Sequence, residues 1–215
     1  MNRRKKLFVV VPIILFVMLA ICIQAKISVP FEGWAYSEAV ENMSPALTLM
    51  MKNVTHLGDS AVIIVFCLVL FIVTKAKKTV ALPVSMTVIS SAVLNILFKH
   101  IFTRSRPDIL RLISETGYSF PSGHAMNNAA LYTMLILLIW RYSHNTFLNI
   151  ILSFICVALT GLIGYSRVYL GVHYAGDVLG GWLFGFALSI LVYFQWDKRL
   201  SDKHTKPSLS DQERD

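Results

Sequence analysis

Charge is scarce in this chain. Of its 215 residues only 15% are charged, against 55% hydrophobic, and the mean hydropathy is +0.61. A soluble domain carries about 25% charged residues, so the deficit excludes an ordinary water-soluble fold and favours a polytopic membrane protein. Cysteine is scarce as well. The three present, Cys22, Cys67 and Cys156, lie inside apolar stretches with no ligand-like spacing, and read as small buried hydrophobes rather than a disulfide or zinc site. Histidines 56, 100, 124, 144 and 173 are scattered, with neither paired spacing nor an acidic cluster beside them. No metal and no cofactor are therefore expected. The formal charge is +8, but no basic face with interleaved aromatics stands apart from the apolar runs, which excludes nucleic acid as a partner. Internal repeats and low-complexity runs are missing too, and the length suits one membrane-embedded domain over residues 1–215.

What the chain does have is six apolar segments, Leu7–Ile23, Leu57–Thr74, Thr79–Phe98, Pro121–Trp140, Phe147–Tyr165 and Ala175–Trp196. Each is near the ~20 residues that cross a bilayer. The expected fold is all-α, a six-transmembrane-helix bundle. The second segment is the weakest, since its charge-free part, Ser60–Thr74, covers only ~22 Å of a ~30 Å core. The first follows a basic leader and resembles a signal peptide, but its apolar run of ~17 exceeds the 7–15 usual for a signal core, so a retained helix is expected. Thirteen of the twenty lysines and arginines fall on the side of the N-terminus. The positive-inside rule then places both termini in the cytoplasm of a plasma-membrane protein, with residues 1–6 as a short cytoplasmic tail. Residues 26–56, with Phe31, Trp34, Tyr36 and a methionine-containing stretch, form an extracytoplasmic loop expected to hold one or two interfacial amphipathic helices. The polar tail 201–215 is expected to be disordered and cytoplasmic.

With that topology, three polar strings reach the same extracytoplasmic face. They are Lys99-x6-Arg106-Pro107, Pro121-Ser122-Gly123-His124 and Ser166-Arg167-x5-His173-x3-Asp177. Ionised groups beside a bilayer are costly and ask for a functional reason. Lys99 and Arg106 stand seven residues apart, two helical turns, and are expected on one helical face; snorkelling toward headgroups explains either one alone, and Arg104 and Arg111 are assigned to it. Ser122 suits an N-cap, Gly123 a close backbone approach, and the helix N-terminus a phosphate. A merely capped membrane helix accounts for Ser122 but not for His124. The i,i+4 spacing of His173 and Asp177 lets the carboxylate reach the imidazole in a helix; an interfacial ion pair is the plainer alternative. A carboxylate on one ring N–H fixes the tautomer and leaves the other nitrogen free to attack.

In that order, these strings resemble the signature of the type 2 phosphatidic acid phosphatase family, and the chain looks most like compact bacterial members of the phosphatidylglycerophosphatase B type. Every motif position between Lys99 and Asp177 is filled. The resemblance implies a hydrolase acting on membrane lipid phosphates, such as phosphatidylglycerophosphate, undecaprenyl pyrophosphate, phosphatidic acid or diacylglycerol pyrophosphate, without a metal. It implies His173 as nucleophile, Asp177 as its orienting group, His124 as general acid, and Lys99, Arg106, Ser122, Gly123 and Arg167 as phosphate ligands. Two other functions stay open on the same residues: phosphoryl transfer to an acceptor other than water, and non-catalytic lipid binding or transport.

Overall fold

The computed structural model describes residues 3–205, with side chains placed from 5 to 200. Among the described residues the fold is entirely helical. The helices are α1 (Arg3–Gln24), α2 (Val29–Glu41), α3 (Pro45–His56), α4 (Ser60–Val73), α5 (Leu82–Phe102), α6 (Gly123–Tyr142), α7 (Thr146–Tyr169) and α8 (Ala175–Thr205), and a π-helical turn, Lys77–Ala81, leads into α5. Each expected apolar segment coincides with a helix. α8 continues through Ser201–Thr205, which corrects the start of the expected disordered tail; residues 206–215 lie outside the described residues.

Among the described residues four helices are long and apolar enough to cross a membrane: Lys5–Gln24, Lys77–Phe102, Thr146–Tyr169 and Ala175–Leu200. α3 and α4 together make a fifth candidate, bent by 48° at their junction. The junction explains the weak second segment, because α4 alone has 14 residues, roughly 21 Å of helix. α6 meets a different requirement. It lies at the centre, packed on α5, α7 and α8, with Ala125, Met126, Asn128, Ala129, Ala130, Leu131, Met134 and Leu138 buried. A helix shielded by other helices has little need of an apolar surface all round. α1 and α7 do present one: Leu7, Phe8, Ile14 and Ile21, and Phe147, Phe154 and Val157, are all exposed.

Among the described residues four apolar clusters pack the helices together, two of them at different levels of the bundle. Ile63, Val84, Val88, Leu131, Met134 and Leu138 join α4, α5 and α6. At the other level, Phe16 of α1 packs on Phe98, Phe102, Phe120 and Phe184 with ring centroids 5.2, 6.2, 5.5 and 5.1 Å away. Phe120 is fully buried and precedes Pro121 through a cis peptide bond. It sets the chain into α6 between α1, α5 and α8. Gly180 makes room for it, since a Cβ there would stand 2.6 Å from Phe120 Cε2.

The tightest helix pair is α6 with α8. A Cβ on Gly181 would lie 2.9 Å from Ser122 O and Met126 N, and one on Gly185 would collide with Met126 O. Ser189 Oγ donates to Ala130 O at 2.5 Å along the same seam. Backbone atoms do not yield as side-chain ends do. Gly181→Ala and Gly185→Ala should therefore each cost about 1–3 kcal/mol, read as a lower unfolding midpoint in detergent. Gly161→Ala, where a Cβ meets nothing within 4 Å, should hold or raise the midpoint through helix propensity.

Candidate active site

The three polar strings meet at one end of the bundle, around the C-terminal ends of α5 and α7 and the N-terminal ends of α6 and α8. The opposite end gathers other contacts: Lys5 over the Phe194 ring, Trp196 Nε1 donating to Lys78 O, and Arg141 paired with Asp197.

Lys99 and Arg106 do not share a helical face. Thr103 adopts the left-handed conformation (φ 45°, ψ 31°), its N–H closing on Lys99 O at 2.9 Å, and this ends α5 one turn after Lys99. Arg106 therefore sits in an irregular segment, with Pro107 opposing a new helix, and comes back to Lys99 by the path of the loop. Its guanidinium donates to Thr116 O (2.8 Å), Gly117 O (3.0 Å) and Val172 O (3.0 Å). Burial lowers its pKa from the ordinary guanidinium value, against the pull of Glu115.

Arg106 also reveals the state of His173. Its Nη1 lies 3.1 Å from His173 Nε2. A guanidinium has no acceptor, so Nε2 accepts and Nδ1 carries the ring proton. That proton faces Ser119 Oγ at 3.3 Å and Asp177 Oδ2 at 3.4 Å, and Ser119 Oγ in turn donates to Asp177 Oδ2. His173 lies in the turn before α8, not in the helix. Asp177 reaches it because it occupies the third position of α8 and receives the Tyr174 N–H at 2.9 Å, half of a capping box. Burial pushes His173 down from 6.5 to about 4, Asp177 opposing this and Arg106 and Arg167 adding to it. Burial thus favours the neutral imidazole, whose Nε2 lone pair is engaged by Arg106. As pH falls from 6.5 toward 4 the unfolded chain binds a proton that the folded chain refuses, so stability declines over that window.

His173, Lys99, Arg106, Arg167, Gly123 and His124 line one cavity of about 250 Å³, joined by Glu115 and Asn95. Ser122 stands behind the wall. It is buried, and its hydroxyl accepts the Ala125 N–H at 3.4 Å as the α6 N-cap. Its own N–H is tied to Asp177 O at 3.0 Å, fastening α6 to α8. Arg167 is 1% exposed. It donates to Thr55 Oγ1 at 2.7 Å and pairs with Glu115, while its Nε has no hydrogen-bond partner among the described residues. Glu115 also approaches Arg106, at 3.8 Å. Burial resists charge on Glu115, but the two arginines hold its pKa below the usual carboxylate value.

Across the cavity His124 Nε2 meets Asp59 Oδ1 at 3.0 Å, and Asp59 Oδ2 meets the exposed His56 at 2.8 Å. Gly58 allows this approach, since a Cβ there would stand 2.8 Å from His124 Cδ2. Asn128 Nδ2 donates to Gly58 O (3.3 Å) and His124 O (2.9 Å), clamping the α3–α4 junction to α6.

Arg104 is a correction. It does not snorkel: it pairs with Asp177 Oδ1 and Glu32 Oε2, each at 2.6 Å, under the Tyr174 ring at 4.1 Å. Burial opposes its charge, yet Asp177 and Glu32 outweigh that and raise its pKa. Arg111 bonds Pro107 O at 2.6 and 2.8 Å, closing the loop on itself. Sequence reasoning missed Glu32, Asp59, Glu115 and Ser119. A usable signal existed for the acids: the chain has only twelve, and these three lie beside apolar segments where a charge asks for a partner. Ser119 carried none.

This geometry can be set beside known proteins. The family model described as PAP2 superfamily matches residues 79–201. Phosphatidylglycerophosphatase B of Bacillus subtilis (strain 168) is 35% identical over 167 residues, 73% of this chain and 76% of that protein. Undecaprenyl-diphosphatase of Sulfolobus acidocaldarius is 30% identical over 130 residues, 57% of this chain and 58% of that protein. The crystal structure of a transmembrane PAP2 type phosphatidylglycerolphosphate phosphatase from Bacillus subtilis superposes with a TM-score of 0.77 at 30% identity, covering 94% of this chain and 99% of that one. The motif resemblance, the family match and the shared fold agree, and this chain belongs to the PAP2 superfamily.

Proposed function

We propose that this protein is an integral membrane lipid phosphatase that removes phosphate from lipid monoester or pyrophosphate headgroups by way of a phosphohistidine. The observation that carries this reading is that His173, Lys99, Arg106, Arg167 and His124 line one cavity, with Arg106 resting on His173 Nε2 where a phosphate oxygen can draw it off and free the lone pair. His173 Nε2 attacks phosphorus in line as the bond to the lipid oxygen breaks, and His124, which takes up a proton as the phosphate anion joins Asp59 beside it, gives that oxygen its proton. Water then attacks the phosphohistidine, His124 takes the water's proton, and His173 leaves with its lone pair restored. Lys99, Arg106 and Arg167 bear the charge of the non-bridging oxygens; losing one such donor typically costs ~2.7–4 kcal/mol of barrier. Arg167 Nε, without a hydrogen-bond partner among the described residues, and the α6 N-terminus framed by Ser122 and Gly123 supply further donors. Three fixed cations do the electrostatic work that a metal does elsewhere, which supports a metal-independent reaction.

We read residues 1–215 as one membrane-embedded domain of six spans in the plasma membrane, α6 and the bent α3–α4 pair included, with both termini cytoplasmic and the site extracytoplasmic. The cation bias supports the orientation. α2 and the start of α3 then lie at the outer interface. Ser60 of α4 and Ala92 and Ile96 of α5 border the cavity, so a lipid headgroup reaches it sideways between α4 and α5 while its tails stay in hydrocarbon. Phosphatidylglycerophosphate and undecaprenyl pyrophosphate are the leading substrate classes on the strength of the relatives' names; phosphatidic acid and diacylglycerol pyrophosphate present the same chemistry.

His173→Ala should lower phosphate release from such lipids by at least ~10⁴-fold in a protein that still purifies as a single species; turnover near the wild-type rate rules out the mechanism. Glu115 holds the arginines that the incoming phosphate needs. Glu115→Gln should therefore tighten inhibition by orthovanadate about tenfold, near 1.4 kcal/mol, as read from inhibition constants. Once the ionisation of the substrate is allowed for, the loss of kcat/KM on acidification should centre below pH 5, following His173 near 4. A midpoint at 6.5 would mean that the imidazole titrates as it does in water.

A further inference from the structure

Asp177 does not act alone. It is wholly buried, and its Oδ1 is held by Arg104, which turns its other nitrogen to Glu32. Glu32 comes from the first turn of α2, an element outside all three motif strings. Its side chain is 4% exposed, and its second oxygen lies where any side chain on residue 176 would stand, so Gly176 is part of the fit. A buried ion triad is a poor device for stability, since well-packed apolar residues usually do as well or better. Its placement against the carboxylate that faces His173 calls for another use.

Charge supplies it. When His173 Nε2 bonds to phosphorus, the ring keeps its Nδ1 proton and becomes cationic, and an anionic Asp177 stabilises that charge. Arg104 keeps Asp177 ionised and turned, but at 2.6 Å it also cancels the carboxylate's field. Glu32, at the same distance on the far side, returns the trio to a net charge of minus one. We propose that Glu32 and Arg104 are positioning residues of the phosphoryl-transfer step, forming with Asp177 a relay that carries negative charge from α2 to the imidazole. This rests on the reading of His173 as nucleophile.

The relay is tested with dioctanoyl phosphatidic acid in detergent micelles, by steady-state kinetics and by single-turnover trapping of the phosphoenzyme. Glu32→Gln keeps the shape and removes the charge. It should lower kcat by about 10- to 100-fold, the usual scale for an outer partner of a functional group, with KM changed by less than about twofold. The trapping amplitude should hold while its rate falls, because every molecule is folded and each is slower. Arg104→Lys should retain more activity than Arg104→Gln. Adding Glu32→Gln to Arg104→Gln should cost less than Glu32→Gln costs alone, since without Arg104 there is no cation left for Glu32 to offset. A reduced amplitude at an unchanged rate, or additive losses in the double variant, would overturn the relay in favour of a purely structural triad. Should Glu32→Gln not purify as a monodisperse species, Gly176→Ala, which pushes on Glu32 without altering a charge, is read by the same rate and amplitude criteria. His173→Ala separates the two levels: if it is inactive while Glu32→Gln runs at the wild-type rate, the relay alone fails, whereas phosphoenzyme formed without His173 removes the mechanism beneath it.

Discussion

The contact on which the site depends is the one between the Arg106 guanidinium and His173 Nε2, 3.1 Å apart and both buried. It places the ring proton on Nδ1, toward Ser119 and Asp177, and occupies the Nε2 lone pair until the guanidinium is drawn away. It also ties the irregular segment after α5 to the turn between α7 and α8 through the carbonyls of Thr116, Gly117 and Val172. One side chain therefore sets both the tautomer of a histidine and the register of the loops that hold it. A lysine keeps the charge but not this fork of donors.

The second constraint is charge compensation in a place with little water. Arginines 104, 106 and 167 stand close together at the end of an apolar bundle, and each has a carboxylate within reach: Glu32 and Asp177 for the first, Glu115 for the other two. His124 has Asp59. Unpaired, such charges cost several kcal/mol each. The arrangement thus separates into carboxylates behind the wall, Asp177 and Glu32, and one that lines the cavity, Glu115.

Much of this was legible beforehand because helices in a membrane announce themselves. Apolar runs located a helix at each of the six segments, though α4 is short and α6 polar, and Lys99, His124, Arg167 and His173 stand at one end of the bundle. Local geometry was harder. A seven-residue spacing suggested that Lys99 and Arg106 share a helical face, but Thr103 turns left-handed between them, a conformation that a non-glycine residue seldom advertises. Arg104 looked like a headgroup anchor, since its partner Glu32 lies 72 residues away and no local period links them. Ser119 is one serine among many until Phe120 and Pro121 fold it against Asp177.

The polarity of α6 carries a consequence for biogenesis. His124, Asn127, Asn128 and Thr133 lie within its first three turns, and the helix falls outside the group whose length and apolarity suffice for crossing a bilayer alone. Amide and imidazole groups in hydrocarbon need partners at once. Asn127 finds Ser91 of α5 at 2.7 Å, and Asn128 finds Gly58 at the head of α4. α6 is therefore a dependent helix: its polar groups are met by α5 and the head of α4, both earlier in the chain, so His124 takes its place only once those walls of its pocket have been made.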